Sequence, residues 1–202
     1  MKNYNIKIID GQPNWDKIEK LDINIPYLQT PDTITASAQI CCNNDSFYVH
    51  LETTEKNYLR EEKGIIGFPY LDSCLEFFFA PMNDDTRYFN IEFNSNACVF
   101  FGFAGNAKTI MRQIPENDIL EFFKPNIITG DDNWEIYYEI PFELIIRYFP
   151  KFEVYDGKKI RANCFKCSDN STPPHYLSWN LVEGEPFTFH KPECFGKMTF
   201  IK

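Results

Sequence analysis

From residue 35 to residue 113 the chain breaks into short stretches rich in apolar and aromatic residues, separated by clusters of turn-forming side chains. Stretches 35–42 and 46–53 flank Asn43, Asn44 and Asp45, which is the pattern of a hairpin. An apolar run at 75–80 is followed by a turn at 82–85 and a further stretch at 87–94. Asn94, Ser95 and Asn96 then precede 98–104, and 108–113 is placed to pair with it across Gly105 and Asn106. Later in the chain, 134–140, 159–167 and 196–201 also read as strands. Helical signal is confined to 142–149, which follows Pro141 and stops at Pro150, and to a short turn at 14–19. Many short strands with few helices predict a β-sandwich or barrel, built as one domain over residues 1–202.

Composition agrees and narrows the choice of partner. Hydrophobic residues are 44% and aromatics 17%, enough to bury a core and weighted toward residues that favour strands. The net charge is −9. Such a surface repels phosphate backbones and anionic lipid, so neither nucleic acid nor a membrane is expected as a partner, whereas a neutral ligand such as a sugar meets no such barrier. Seven cysteines, an odd number, sit mostly inside apolar runs and read as buried, reduced thiols. Residues 1–30 lack the apolar core of a signal peptide. These features predict a cytoplasmic protein, or a secreted one if a leader has been trimmed. Cys164 and Cys167 have the C-x-x-C spacing, but on a strand residues three apart face opposite sides, which argues against redox or zinc chemistry there.

The informative residues are polar ones in apolar surroundings. In 87–94, alternation puts Phe89, Ile91 and Phe93 on one face and Tyr88, Asn90, Glu92 and Asn94 on the other. That polar face is either the solvent side or the lining of a groove. Glu76 interrupts the apolar run at 75–80, as an edge charge or as an acceptor for a ligand. Arg161 and Asn163 share a face with Phe165, while Lys166 points the other way. Residues 168–192 form a long segment of weak periodicity, rich in Pro, His and aromatics, of the kind that more often carries function than not. Trp179 within it is either an anchor beneath the loop or an exposed platform, and Tyr70 is a second loop aromatic of this kind.

Taken in order, these residues resemble the family-9 carbohydrate-binding modules and their stand-alone bacterial relatives. The resemblance rests on Asp72-Ser73 with Glu76-Phe77-Phe78, on Tyr88, Asn90, Glu92 and Asn94, and on Trp134 and Ile140-Pro141-Phe142. It is densest over Asn163 to Cys167, Asp169, Pro174-His175, Ser178-Trp179, Phe189 to Glu193 and Phe195-Gly196. It implies an antiparallel β-sandwich of the DOMON-like kind that grips the end of a polysaccharide or oligosaccharide between two aromatic side chains. Tyr70 and Trp179 look like that pair, Glu76 like the carboxylate accepting sugar hydroxyls, Arg87, Asn90 and Asn163 like polar contacts, and His175 like a polar wall. Ala97 and Ser168 stand where relatives often have glycine. The resemblance also implies a structural calcium ion, for which no compact run of oxygen ligands is visible. The expected function is non-catalytic carbohydrate binding. A small glycoside hydrolase using a carboxylate pair, or an interaction domain with an inactive sugar pocket, are the alternatives.

Overall fold

Strands form where side chains alternate or run apolar, and they join edge to edge into one folded sheet. The computed structural model describes residues 1–28, 30–105, 112–114 and 119–202. Its strands are β1 (Asn3–Ile8), β2 (Lys20–Asp22), β3 (Ile25–Tyr27), β4 (Thr35–Cys42), β5 (Ser46–Thr54), β6 (Cys74–Ala80) and β7 (Tyr88–Asn94). They continue with β8 (Val99–Ala104), β9 (Arg112–Gln113), β10 (Asn126–Thr129), β11 (Asn133–Pro141), β12 (Lys159–Ser168), β13 (His175–Ser178) and β14 (Gly196–Ile201). The hydrogen-bonded order is β10-β11-β5-β4-β1-β14-β12-β6-β7-β8-β9, with β2 on β4, β13 on β12 and β3 on β13. Of the strand expected at 108–113, Arg112 and Gln113 pair with β8, and residues 108–111 lie outside the described residues.

The two wings of this sheet face each other across one core, as the layers of a sandwich do. Phe47 on β5 meets Phe79 on β6 with ring centroids 5.7 Å apart, and Phe93 on β7 meets Tyr138 on β11 at 5.1 Å. The expectation of a purely antiparallel fold needs correction. β1 joins the wings by pairing in parallel with both β14 and β4. Parallel neighbours need long connections, and here the connection to β14 is nearly the whole chain, so no local turn signal announces it. Helix α2 (Phe142–Tyr148) forms where Pro141 and Pro150 bracket it, and a shorter helix, α1 (Ile119–Phe123), buries Phe123 in the core. Among the described residues no helix is long and apolar enough to cross a membrane. The left-handed position at Ala97 (φ 61°) closes the turn between β7 and β8, which is why glycine suits that place.

β7 is buried on both faces. Phe89, Ile91 and Phe93 fill the core, while Tyr88, Asn90 and Glu92 on the other face are also buried. The solvent-side reading of that polar face is therefore excluded. Its cover is the segment after β13, whose Val182, Phe189 and Phe195 pack on Phe78, Tyr88 and Phe165. Six of the seven cysteines are buried, and Cys164 and Cys167 face opposite sides of β12.

A buried ionic network spans the wings on the core side. Lys166 Nζ lies 2.9 Å from Glu55 Oε2, donates to Cys167 O at 2.9 Å and meets His175 Nε2 at 2.8 Å. Ser73 Oγ donates to Glu55 Oε2 at 2.5 Å, and Trp134 Nε1 donates to Ser73 Oγ at 2.9 Å. Burial and the neighbouring Lys166 pull the His175 imidazole down to about 4, so it accepts from the ammonium as a neutral ring. Removing one partner of a buried ion pair strands the other charge. Lys166→Met is therefore expected to destabilise the fold by about 3–5 kcal/mol in denaturant titration, and Lys166→Met combined with Glu55→Gln to recover a substantial part of that loss.

Candidate functional site

A cavity of about 400 Å³ opens on the face of the β12-β6-β7-β8 wing that points away from the core. Its floor comes from residues of one parity on adjacent strands: Glu76 and Phe78 on β6, Glu92 on β7, Phe100 on β8 and Cys167 on β12. Glu76 stands directly opposite Glu92, and Phe165 opposite Glu76, in the strand register. One wall is Tyr70, carried on a short 3-10 turn begun by Pro69. The facing wall is Tyr176 on β13 with Phe187, Thr188, Phe189 and His190 from the covering segment. That wall is pinned from behind, because Phe189 stacks on Phe165 at 4.0 Å and Phe187 on Tyr27 at 3.3 Å. Asp169 completes the rim.

The polar floor is acidic and incompletely paired. Asn90 Nδ2 donates to Glu92 Oε1 at 2.6 Å, and the Cys167 thiol donates to Glu76 Oε1 at 2.9 Å. Asn90 Oδ1 and Glu92 Oε2 are buried with no hydrogen-bond partner. Burial pushes the Glu92 carboxyl up to about 8, with Asp169 adding to the rise and the Asn90 bond opposing it. Burial likewise drives Glu76 well above the carboxylate range, reinforced by Cys167 and Glu92. Asp169 rises through burial, partly offset by a hydrogen bond from Tyr176. Burial lowers the pKa of the His190 imidazole, which pairs through Nδ1 with the Tyr88 hydroxyl at 3.0 Å.

Three of the seven residues singled out in the sequence meet here. Tyr70 and Glu76 line the cavity, and Asn90 bonds to Glu92 on the same face. The other four are elsewhere and are corrected. Trp179 is only 3% exposed; it packs edge-on to Tyr4 and closes over Gly196, so it is an anchor and not a platform. β13 explains this, because Tyr176 shares the face of Cys167 while Leu177 and Trp179 take the core side. Arg87 pairs with Asp85 at 2.6 Å and lies 4.8 Å over Phe149, on the opposite side from Asn90. Asn163 ties β12 to residue 180, donating to Asn180 O at 2.9 Å and accepting from Asn180 N at 2.8 Å. His175 belongs to the core network described above. Glu92, Tyr176, Phe187 and Phe189 were not singled out as site residues, although alternation with Asn90 already placed Glu92 on the right face.

Among the described residues, two side-chain groups bring three metal-ligating atoms within reach of one another: Cys74, Glu76 and Cys167, and His50, Glu52 and Glu135. The first is rich in sulfur. In the second, Glu52 already pairs with Lys20 and Glu135 with His50. Neither is the cage of six to eight oxygens that calcium takes, so these residues do not fit the calcium ion that the resemblance implied.

Two outcomes follow from this geometry. Trp179→Ala is expected to cost about 3–5 kcal/mol of stability by leaving a large cavity, read from the shift of the denaturation midpoint. Glu92 has a folded-state pKa raised from 4.5 to about 8, so the fold favours its protonated form. Its contribution to stability is complete below pH 4.5 and is lost as the pH rises through about 8. Glu92→Gln should therefore melt with the wild type at pH 4.5, pull progressively above it between pH 4.5 and about 8, and keep a constant lead beyond that, measured by thermal scans across that range.

Comparison with known proteins gives the geometry its context. A family model described as carbohydrate-binding family 9 matches residues 12–200. No curated protein matches the chain. A putative carbohydrate-binding protein from Bacteroides uniformis ATCC 8492 shares the fold with a TM-score of 0.82 and 24% identity, over 98% of this chain and 99% of that one. A family-9 module from Caldicellulosiruptor kristjanssonii in complex with glucose matches with a TM-score of 0.68 at 13% identity, over 98% and 95% of the two chains. The module from that organism in complex with cellotriose matches with a TM-score of 0.64 at 13% identity, over 99% and 94%. With the family model running over almost its full length, this chain is a member of carbohydrate-binding family 9.

Proposed function

We propose that the cavity between Tyr70 and the Phe187–Phe189 wall holds the end of an oligosaccharide or polysaccharide without cleaving it. The observation that carries this reading is an aromatic-walled cavity whose floor holds the carboxyls of Glu76 and Glu92, with Glu92 Oε2 left without a hydrogen-bond partner. A buried polar atom without a partner costs stability, and a ligand that donates to it recovers that cost. Sugar rings offer both elements needed, hydroxyls for the floor and flat patches of C–H for the aromatic faces. Family membership supports the reading, as do the glucose and cellotriose complexes of the C. kristjanssonii modules.

The arrangement of carboxylates argues against glycoside hydrolysis. A glycosidase places its two carboxyl groups on either side of the scissile bond. Here Glu76 and Glu92 are cross-strand neighbours on one floor and approach any ligand from the same side. The cavity is open, which speaks against a filled, inactive pocket.

Calorimetry against a panel of soluble oligosaccharides should give dissociation constants on the order of micromolar to millimolar for its best members, as one stacking wall and a few polar contacts allow. Tyr70→Ala should weaken that binding by about 1–3 kcal/mol, by analogy with aromatic stacking on bases, with the melting curve of the variant measured beside it because Tyr70 is half-buried against Phe68 and Phe100. Absence of heat with every sugar tested would overturn the reading.

A further inference from the structure

Two buried thiols stand beside a carboxyl at the floor of the cavity, and the saccharide reading uses neither of them. Cys74 on β6 and Cys167 on β12 are direct cross-strand partners, and Glu76 follows two residues along β6. Alternation puts all three side chains on the same face of the wing, while Cys164 points to the core. The partner of Cys167 therefore lies across the sheet and not at the other end of the C-x-x-C spacing. One sulfur from each cysteine and one carboxylate oxygen all lie within 4.8 Å of one another, and the Cys167 thiol already donates to Glu76 Oε1 at 2.9 Å. Both cysteines are free thiols, and none of the three residues is more than 2% exposed.

This donor set has a narrow chemistry. Calcium and magnesium take oxygen ligands and copper(I) takes sulfur, whereas two thiolates with one carboxylate suit zinc. Zinc bonds of about 2.0–2.3 Å set tetrahedral ligands roughly 3.3–3.8 Å apart, so small side-chain rotations bring these three onto one ion. Glu76 and Cys167 line the cavity and Cys74 lies behind them, so an ion held by all three has its fourth position turned toward the cavity, which is also its way in. Glu92 Oε2, buried without a partner, belongs to the residue directly opposite Glu76 and offers an acceptor to a water in that position. We propose that Cys74, Glu76 and Cys167 form a zinc site in the cavity floor, with one coordination position open to the cavity.

The charge balance permits this. Burial pushes both thiols above their ordinary range, with the Lys166 ammonium drawing them back, and burial also keeps Glu76 toward its protonated form. A bound divalent ion reverses that preference and deprotonates a coordinating thiol outright. Two thiol protons and the Glu76 proton leave to solvent as one divalent ion enters, so the buried charge changes by a single unit.

The test uses the full chain, stripped of metal with a chelator and kept reduced with a phosphine. It is titrated with zinc chloride in competition with a chromophoric chelator, and in parallel with cobalt(II) chloride. One zinc ion per chain is expected, and the cobalt form should show thiolate-to-metal charge transfer in the near ultraviolet with the visible bands of a tetrahedral ion. Cys74→Ser and Cys167→Ser should each weaken zinc binding by more than the roughly 10–100-fold that losing a ligand's supporting partner costs. Cys194→Ser, which removes a thiol outside the cluster, should leave it unchanged. Melting curves show whether each variant folds, and the wild-type cobalt spectrum tests the site even where a variant does not. Failure of the reduced chain to take up zinc would overturn the proposal. So would uptake without a thiolate band, undiminished in both serine variants, because that ion would belong to His50, Glu52 and Glu135. None of these results depends on whether the cavity takes a sugar.

Discussion

Strands β6, β7 and β12 are covered on both faces, and this double burial governs which polar side chains the fold can carry. A polar group there must find a partner inside the protein, because water does not reach it. On the core side the rule is met closely. Lys166 has Glu55, His175 and the Cys167 carbonyl around its ammonium, and Glu55 in turn holds Ser73, which holds the Trp134 indole. That chain of contacts runs from β12 to β11 and so joins the two wings. On the cavity side Asn163 is matched to the backbone of Asn180, and Asn94 donates to Asp72 at 2.8 Å. Against this background the orphaned atoms of Asn90 and Glu92 are informative. The other unpartnered buried atoms, on Ser95, Tyr138 and Arg161, belong to residues that do not line the cavity.

The same burial sets the electrostatics. Glu76 and Glu92 face each other in register in a water-poor floor, so each makes the ionised form of the other more costly. A fold selected for stability alone would replace one of them with an apolar side chain or set an arginine between them. Keeping two facing carboxyl groups there, both driven by burial toward their protonated forms, is a local conflict of the kind that clusters at binding sites.

Fold class was legible because it rests on local signals. The hairpin at 35–54, the alternation of β7 and the Pro-bounded helix α2 were all visible as patterns of neighbours in the chain. The parallel seating of β1 between β4 and β14 was not, since nothing in Asn3–Ile8 names a partner almost two hundred residues away. The lining of the candidate cavity was legible in part for the same reason. Tyr70, Glu76 and Asn90 follow from the turn and from strand parity. The error at Trp179 came from reading 168–192 as irregular. The four-residue strand β13 lies within it, too short for alternation to announce it, and its parity sends Tyr176 to the cavity and Trp179 to the core. Side-chain identity suggested the Trp, and backbone parity decided otherwise. Asn163 and His175 were chosen for their chemistry, which serves here to satisfy the buried backbone and the buried ammonium.

How firmly the aromatic walls are held bears on what the cavity can discriminate. Phe187 and Phe189 are backed by Tyr27 and Phe165. The segment that carries them is clamped at its far end by Arg161 on Pro192 O and by Lys191 on the carbonyls of Glu183 and Gly184. On the opposite side the carbonyl of Tyr70 accepts from Asp169 N at 2.9 Å, and that of Leu71 from Asn170 N at 3.1 Å, which ties the Tyr70 turn to the end of β12. Both walls are thus fixed before a ligand arrives, and little side-chain entropy remains to be lost on binding. A preformed cavity with fixed walls cannot close around a poor fit. Under the proposed reading its selectivity comes from the floor, where the carboxyls of Glu76 and Glu92, the latter held by Asn90, meet the group that a ligand presents.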